Sequence, residues 1–140
     1  YYYYICVIID LFSRKVVACC VGRNNTTYLV KRTFREAYND RIPGEGLIFH
    51  SDRGSNYKAE SFRILLASKN VTQSFSRAHV PYDNAVMENF FGSLKKEELY
   101  RWRYRSEREL KERIMEYVDF YNNIRPHEKL QYKTPTQIEE

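Results

Sequence analysis

No glycine-rich phosphate loop, no serine–histidine–aspartate pattern and no zinc-spaced set of cysteines or histidines occurs in these 140 residues. Nucleotide cradling, acyl transfer and zinc chemistry therefore have no footing. Cysteine is scarce. Cys6, Cys19 and Cys20 are odd in number, two are adjacent, and all lie in apolar runs, which predicts buried, reduced thiols in a cytosolic protein. No apolar run approaches the roughly 20 residues of a membrane-spanning helix, and no signal peptide is visible, so no membrane partner is expected. Internal repeats, low-complexity tracts and linkers are missing too, which leaves one domain over residues 1–140.

What is present suffices for a folded core. Hydrophobic residues make up 43% and charged residues 29%, a balance that argues against disorder. The net charge of +5 permits a polyanionic partner without requiring one. Thirteen tyrosines and eight phenylalanines are many for this length and can serve as core, as base-stacking surface, or as both.

The hydrophobic pattern predicts an α/β layer fold. Residues 1–11 and 15–21 are apolar and β-branched and read as an antiparallel hairpin closed over 10–15. Asn25 or Thr26 can cap a helix carrying Val30, Thr33, Phe34 and Ala37, with Pro43-Gly44 ending it. Leu47-Ile48-Phe49 is a short continuous run, as in a strand buried on both faces. Phe62, Leu65 and Leu66 mark a second helix, stopped near Asn70, and 71–75 a further strand. Residues 76–81 read as a loop, and a helix follows from Asp83 or Asn84 to about Tyr100. Ser106 and Glu109 form a capping box for a helix bearing Leu110, Ile114, Tyr117, Val118 and Tyr121, ending by Arg125-Pro126. The last 14 residues read as an extended tail with one short turn.

Two carboxylates stand out. Asp52 directly follows a predicted strand, and Glu88 lies in a predicted helix; 35 residues, 53–87, separate them. A carboxylate at the C-terminal end of a strand in an α/β sheet stands where ligand sites collect. At about 100° per residue, Met87, Phe90, Phe91 and Leu94 form the apolar face of the Glu88 helix. Asn84, Glu88, Gly92 and Lys95 form an adjacent polar or small face. Glu88 is therefore beside the buried stripe, and Gly92 lets a backbone or a phosphate come close. Hard cations such as Mg²⁺ take carboxylate oxygens and keep waters that phosphate oxygens can replace. A pair of such ions about 3.5–4 Å apart serves in-line phosphodiester displacement. Either residue alone would more often be a turn residue or a solvated charge.

Several stretches together resemble the integrase catalytic core of bacterial insertion-sequence transposases, DDE enzymes related to retroviral integrases. They are Ile8-Ile9-Asp10-Leu11-Phe12-Ser13-Arg14, His50-Ser51-Asp52-Arg53-Gly54-Ser55, Pro81-Tyr82-Asp83-Asn84-Ala85, Glu88-Asn89-Phe90-Phe91-Gly92-Ser93-Leu94-Lys95 and Tyr121-Asn122-Asn123-Ile124-Arg125-Pro126-His127. The 35-residue gap matches the family as well. The resemblance implies an RNase H-like fold, a mixed sheet flanked by helices. It also implies Asp52 and Glu88 as the second and third acidic residues, Mg²⁺ or Mn²⁺ as cofactor, and cleavage of DNA at element ends followed by joining of the 3′-hydroxyl to a target. DNA and further copies of the chain are the implied partners, in the bacterial cytoplasm at the nucleoid.

Two departures accompany this resemblance. The family's first catalytic Asp lies on a strand before the tyrosine-rich segment, and that strand is not found here. The chain opens on Tyr1, and the expectation is an N-terminally truncated core, inactive alone. Asp10 is no substitute: it matches a family position outside the triad and reads as a turn residue. Arg77-Ala78-His79-Val80 also replaces the Gly-Asn-Pro type run usual before Tyr-Asp-Asn. Lys95, Lys96, Arg101, Arg103, Arg105 and Arg108, with Tyr100, Trp102 and Tyr104 interleaved, suit a phosphate-tracking surface, diluted by Glu97, Glu98, Glu107 and Glu109. Lys95, Lys96, Arg101 and Asn84 are the candidate DNA contacts. His50 reads as a residue that orients the Asp52 turn, His127 as structural, and Arg125 as a clamp on a carbonyl or carboxylate. The competing reading is a catalytically incompetent DNA-binding or oligomerisation remnant of such an enzyme. An unrelated RNase H-like nuclease is weaker, because the flanking motifs fit transposases.

Overall fold

A computed structural model describes residues 3–77 and 84–140. In chain order the elements are β1 (Tyr4–Ile9), β2 (Val16–Gly22), α1 (Thr27–Arg41), β3 (Ile48–Ser51), α2 (Ser55–Lys58), α3 (Glu60–Ser68) and β4 (Thr72–Phe75). There follow α4 (Ala85–Leu94), prolonged by a π-helical turn at Lys95–Leu99, then α5 (Glu107–Asn123), a 3₁₀ turn at Glu128–Leu130 and α6 (Pro135–Glu139). β1 pairs with β2, and β3 pairs with β4 in parallel. The chain divides into two compact units, Tyr1–Ile8 with Cys20–Ala85, and Ile9–Cys19 with Val86–Glu140.

The first unit is built on aromatic packing. Thr26 caps α1, its hydroxyl accepting from the Leu29 N–H, and Leu29, Val30, Thr33, Phe34 and Ala37 are buried. α3 buries Phe62, Leu65 and Leu66. Phe62 meets Phe34, Phe49 and Tyr57 edge-on, with centroids 6.1, 5.3 and 5.9 Å away, an arrangement that favours ring quadrupoles. α1 stops at Arg41, earlier than the Pro43-Gly44 signal suggests. Pro43 disfavours a right-handed helical conformation at the residue before it, and Ile42 takes the left-handed region at φ 45°. All three cysteines are buried and none forms a disulfide. Burial raises the thiols of Cys6 and Cys20, which keeps them protonated and inert.

In the second unit, Asp10 accepts the N–H groups of Phe12 and Ser13 on Oδ1. It is the turn residue the sequence suggested. α5 buries Leu110, Ile114, Tyr117, Val118 and Tyr121, as its periodicity requires. Ser106 accepts from the Glu109 N–H, but the Glu109 carboxylate reaches back to the Arg105 N–H at 2.9 Å, one residue before the cap. Asn122 imitates a strand: its amide accepts from the Val16 N–H and donates to the Val16 carbonyl, both at 2.9 Å. The tail departs from expectation. Beyond the 3₁₀ turn it forms α6, begun by a full capping box between Thr134 and Gln137 with Pro135 in the first turn. That signal is present in the sequence as Thr-Pro-Thr-Gln.

Glu97 and Glu98 do not dilute a surface patch as the sequence suggested. Both turn inward from the π-helical turn. Glu97 accepts from Arg125 at 2.8 and 2.9 Å and from the Tyr117 hydroxyl at 2.9 Å, while buried Glu98 accepts from the Tyr104 hydroxyl at 2.7 Å. Arg125 is thus the carboxylate clamp foreseen. His127, also buried, bonds the Tyr121 carbonyl through Nε2 at 2.9 Å. The Arg125 hydrogen bonds hold the Glu97 carboxyl below its ordinary range, and burial lowers His127.

Both shifts predict acid lability. Each group binds its proton more readily in the unfolded chain, so its stabilisation is complete above the unfolded value. That value is about 6.5 for His127 and about 4.3 for Glu97, and the stabilisation is lost as pH falls through the folded value. Thermal midpoints measured against pH should fall first below about pH 6.5 and again below about pH 4.3. His127→Gln should flatten the upper step and Glu97→Gln the lower one.

Candidate active site

The strand pair places Asp52. β3 and β4 run parallel in the register Ile48–Thr72, Phe49–Gln73, His50–Ser74 and Ser51–Phe75, so Asp52 and Ser76 leave the pair at the same, C-terminal edge. The Ser76 N–H donates to the Ser51 carbonyl at 2.7 Å, and the Arg53 Nε donates to the Ser76 carbonyl at 3.0 Å. Asp52 is exposed. Its Oδ1 accepts from the Gly54 N–H at 2.8 Å, which leaves the second oxygen for another partner. A Cβ at Gly54 would lie 2.9 Å from Asp52 Oδ1, so a larger residue there would force the carboxylate to shift.

The remaining motif residues brace this edge. His50 contacts Ser74 Oγ through Nδ1 at 2.9 Å and Ser76 Oγ through Nε2 at 3.1 Å. The Ser76 hydroxyl has one proton and donates it to Asn84 Oδ1 at 2.6 Å. In the tautomer with its proton on Nε2, the imidazole donates to Ser76 and accepts from Ser74, which satisfies the chain Ser74–His50–Ser76–Asn84. His50 therefore braces β4 and the residue preceding α4, while the Asp52 turn itself is held by Gly54. Asn56 donates to Asn25 and accepts from Thr27, and Tyr57 packs into the ring cluster. Burial raises the Tyr57 phenol, with the Cys6 thiol and the Asp52 charge adding to the effect.

Glu88 lies in the first turn of α4, exposed, one residue before exposed Asn89 and two before fully buried Phe90. Leu94 is likewise fully buried, and Met87 and Phe91 are half-buried. A Cβ on Gly92 would meet nothing within 4 Å, so internal packing does not require glycine at that place. Lys95, Lys96 and Arg101 are exposed, and Asn84 is half-buried with its carbonyl oxygen engaged by Ser76. Trp102 carries the Arg113 guanidinium 4.8 Å from its ring centroid. The Asp52 and Asn84 positions belong to the first unit, and those of Glu88, Lys95, Lys96 and Arg101 to the second.

As donors for a cation, Asp52 and Glu88 are hard, exposed carboxylates, suited to an ion that keeps several waters. Among the described residues no three His, Cys, Asp or Glu side chains form a metal-binding group. Residues 78–81 of the loop expected over 76–81, His79 among them, and the candidate cap Asp83 lie outside the described residues.

Comparison with known proteins supplies the family. One integrase core domain model matches residues 1–81, and a second integrase core domain model matches residues 69–135. The chain belongs to the integrase core domain family. A transposase for insertion sequence element IS904 from Lactococcus lactis is 36% identical over 137 residues, covering 97% of this chain and 54% of the relative. The putative transposase InsK of element IS150 from Escherichia coli is 33% identical over 134 residues, covering 96% and 47%. This integrase core spans about half the length of the curated relatives it matches. The catalytic core domain of HTLV-2 integrase, solved in complex with magnesium, superposes with a TM-score of 0.66 at 20% identity, covering 99% of this chain and 84% of that one. The fold of the integrase core is thereby RNase H-like, an α/β arrangement with helices flanking its sheets. No helix among the described residues is long and apolar enough to cross a membrane.

Proposed function

We propose that this chain is the catalytic core of an insertion-sequence transposase, a DDE-type polynucleotidyl transferase that cuts DNA at an element's ends and joins the freed 3′-hydroxyl to a target strand. One observation carries the reading: the family-matched segment ends its parallel strand β3 on an exposed carboxylate, Asp52, held by the Gly54 N–H, and a Cβ at Gly54 would displace that carboxylate. Asp52 and Glu88 are the proposed ligands of Mg²⁺ or Mn²⁺. When bound, such an ion supplies charge stabilisation to the attacking and leaving oxygens. The residues hold and orient: Gly54 fixes the Asp52 carboxylate, and Arg53 ties its turn to the end of β4.

Lys95, Lys96 and Arg101 are proposed to track the phosphate backbone, with their acidic neighbours Glu97 and Glu98 turned inward. Asn84 keeps its amide N–H groups for a phosphate oxygen while its carbonyl oxygen is bound by Ser76. The partners are DNA and further copies of the chain, as in the dimeric HTLV-2 core, and the place of action is the bacterial cytoplasm at the nucleoid.

The test is a joining assay on the natural polypeptide that carries this chain. Labelled element-end duplex should become covalently linked to target DNA in Mg²⁺ or Mn²⁺ and not in EDTA. DNA binding without any joining in either metal would overturn the catalytic reading and favour the incompetent remnant. Replacing Lys95 and Lys96 by Gln should make the salt dependence of DNA binding shallower by about 1–2 units of slope.

A further inference from the structure

The Tyr121–His127 motif surrounds a concavity in the second unit that the proposed metal site does not use. Arg14 from the β1–β2 turn, Asn89 and Ser93 from α4, Tyr121 and Arg125 from the end of α5, and Lys129 from the 3₁₀ turn line it. We infer that this concavity is a phosphodiester-binding subsite for DNA. The inference rests on the transposase reading and adds to it a place where the backbone of the substrate is held.

The charges favour an anion. Arg14, Arg125 and Lys129 contribute three positive charges to the lining, and Glu128 one negative charge. The Arg125 charge is already matched by Glu97. Among the described residues, neither the Arg14 guanidinium nor the Lys129 ammonium is paired with a carboxylate. The backbone of Arg14 is held in a turn. It sits in the left-handed region at φ 68°, its N–H donates to the Asp10 carbonyl at 2.7 Å, and the preceding Ser13 is fully buried and donates to Glu139. Arg14 and Arg125 line the concavity together with Tyr121; burial raises the Tyr121 phenol, and the charges of both arginines oppose that rise. Arg125 also lies 5.7 Å from the Tyr121 ring centroid.

The polar groups match a phosphate. Asn89 and Ser93, one turn apart on α4, offer an amide and a hydroxyl beside two uncommitted cations. Phosphate oxygens accept such donors, and charge-assisted bonds to them are the stronger kind. The floor is preorganised by the His127 bond to the Tyr121 carbonyl and by the Arg125–Glu97 pair. Asn89 follows Glu88 in sequence, so a strand held here would run along the helix that carries the proposed metal ligand.

The experiment measures duplex DNA binding by the natural polypeptide in EDTA, by fluorescence anisotropy over a salt series, for Arg14→Gln/Lys129→Gln and for Arg14→Lys/Lys129→Arg. The charge-removing pair should weaken binding about tenfold and make the slope against log salt shallower by about 1–2. The charge-keeping pair should retain both. Thermal melts establish that both proteins fold, and Lys129→Gln alone, at an exposed position, should carry about half of the slope change. An unchanged slope in the charge-removing pair, or an equal loss in the charge-keeping pair, overturns the subsite while leaving the transposase reading in place. Failure of the unsubstituted protein to bind DNA overturns both.

Discussion

Replacing Asp52 by Asn, or Glu88 by Gln, will slow metal-dependent DNA joining by about a thousandfold or more, equivalent to about 4 kcal/mol of barrier, while the melting temperature moves by only a few degrees. The two halves of this expectation have different physical sources. Both carboxylates are exposed, and their amides have nearly the same shape, so folding loses little. Carbonyl and amide groups cannot replace the negative charge that holds a hard divalent ion. Gly54→Ala should fall between these extremes, with about a tenfold loss. Its Cβ would press on Asp52 Oδ1 at 2.9 Å and displace the carboxylate without removing it, and misplacement of a reacting group by about 1 Å costs up to about a hundredfold. A joining rate within threefold of the unsubstituted protein for either carboxylate variant would remove that residue from the site.

Phe90→Ala will destabilise the fold by about 3–5 kcal/mol, lowering the melting temperature by about 10–20 °C. The neighbouring Phe91→Ala will cost less than half as much. Phe90 is completely buried, with Tyr121 edge-on at 5.0 Å and Phe91 at 5.5 Å. Its loss leaves a cavity beside the Tyr117 ring, whose hydroxyl is tied to Glu97 and which therefore cannot collapse freely to fill it. Phe91 is half-buried and can be replaced in part by solvent. Equal losses in the two variants, read by urea or thermal unfolding, would contradict this packing.

The elements with strong periodicity were legible in the sequence. The five apolar positions of α5 and a cap for α1 at Asn25 or Thr26 follow from patterns of burial and capping that act locally; the strands near 48–51 and 72–75 were legible in place, but β3 is not buried on both faces, because Ile48 is exposed, and the parallel pairing was not legible. The residues whose roles depend on distant partners were not. Nothing near Asn122 in the chain shows that it completes the edge of β2, 106 residues away. Glu97 and Glu98 look like surface acids until the π-helical turn points them at Arg125 and Tyr104. The motif His50–Tyr57 was legible as a candidate site. Its internal division of labour was not, because His50 and Arg53 act on Ser76, 26 and 23 residues further along. The short helix α6 was missed although Thr134, Pro135 and Gln137 spell its start. The tail has little apolar periodicity, and the cap was the sole signal.

The central claim is that the Asp52 and Glu88 carboxylates share a divalent cation. Crystals of the natural polypeptide grown with Mn²⁺ test it through anomalous scattering. The account predicts a manganese peak within about 2.2 Å of an oxygen of each carboxylate, or a pair of peaks about 3.5–4 Å apart that the two residues hold between them. Manganese bound elsewhere, with the two carboxylates too far apart for any ion or ion pair to link, would contradict it.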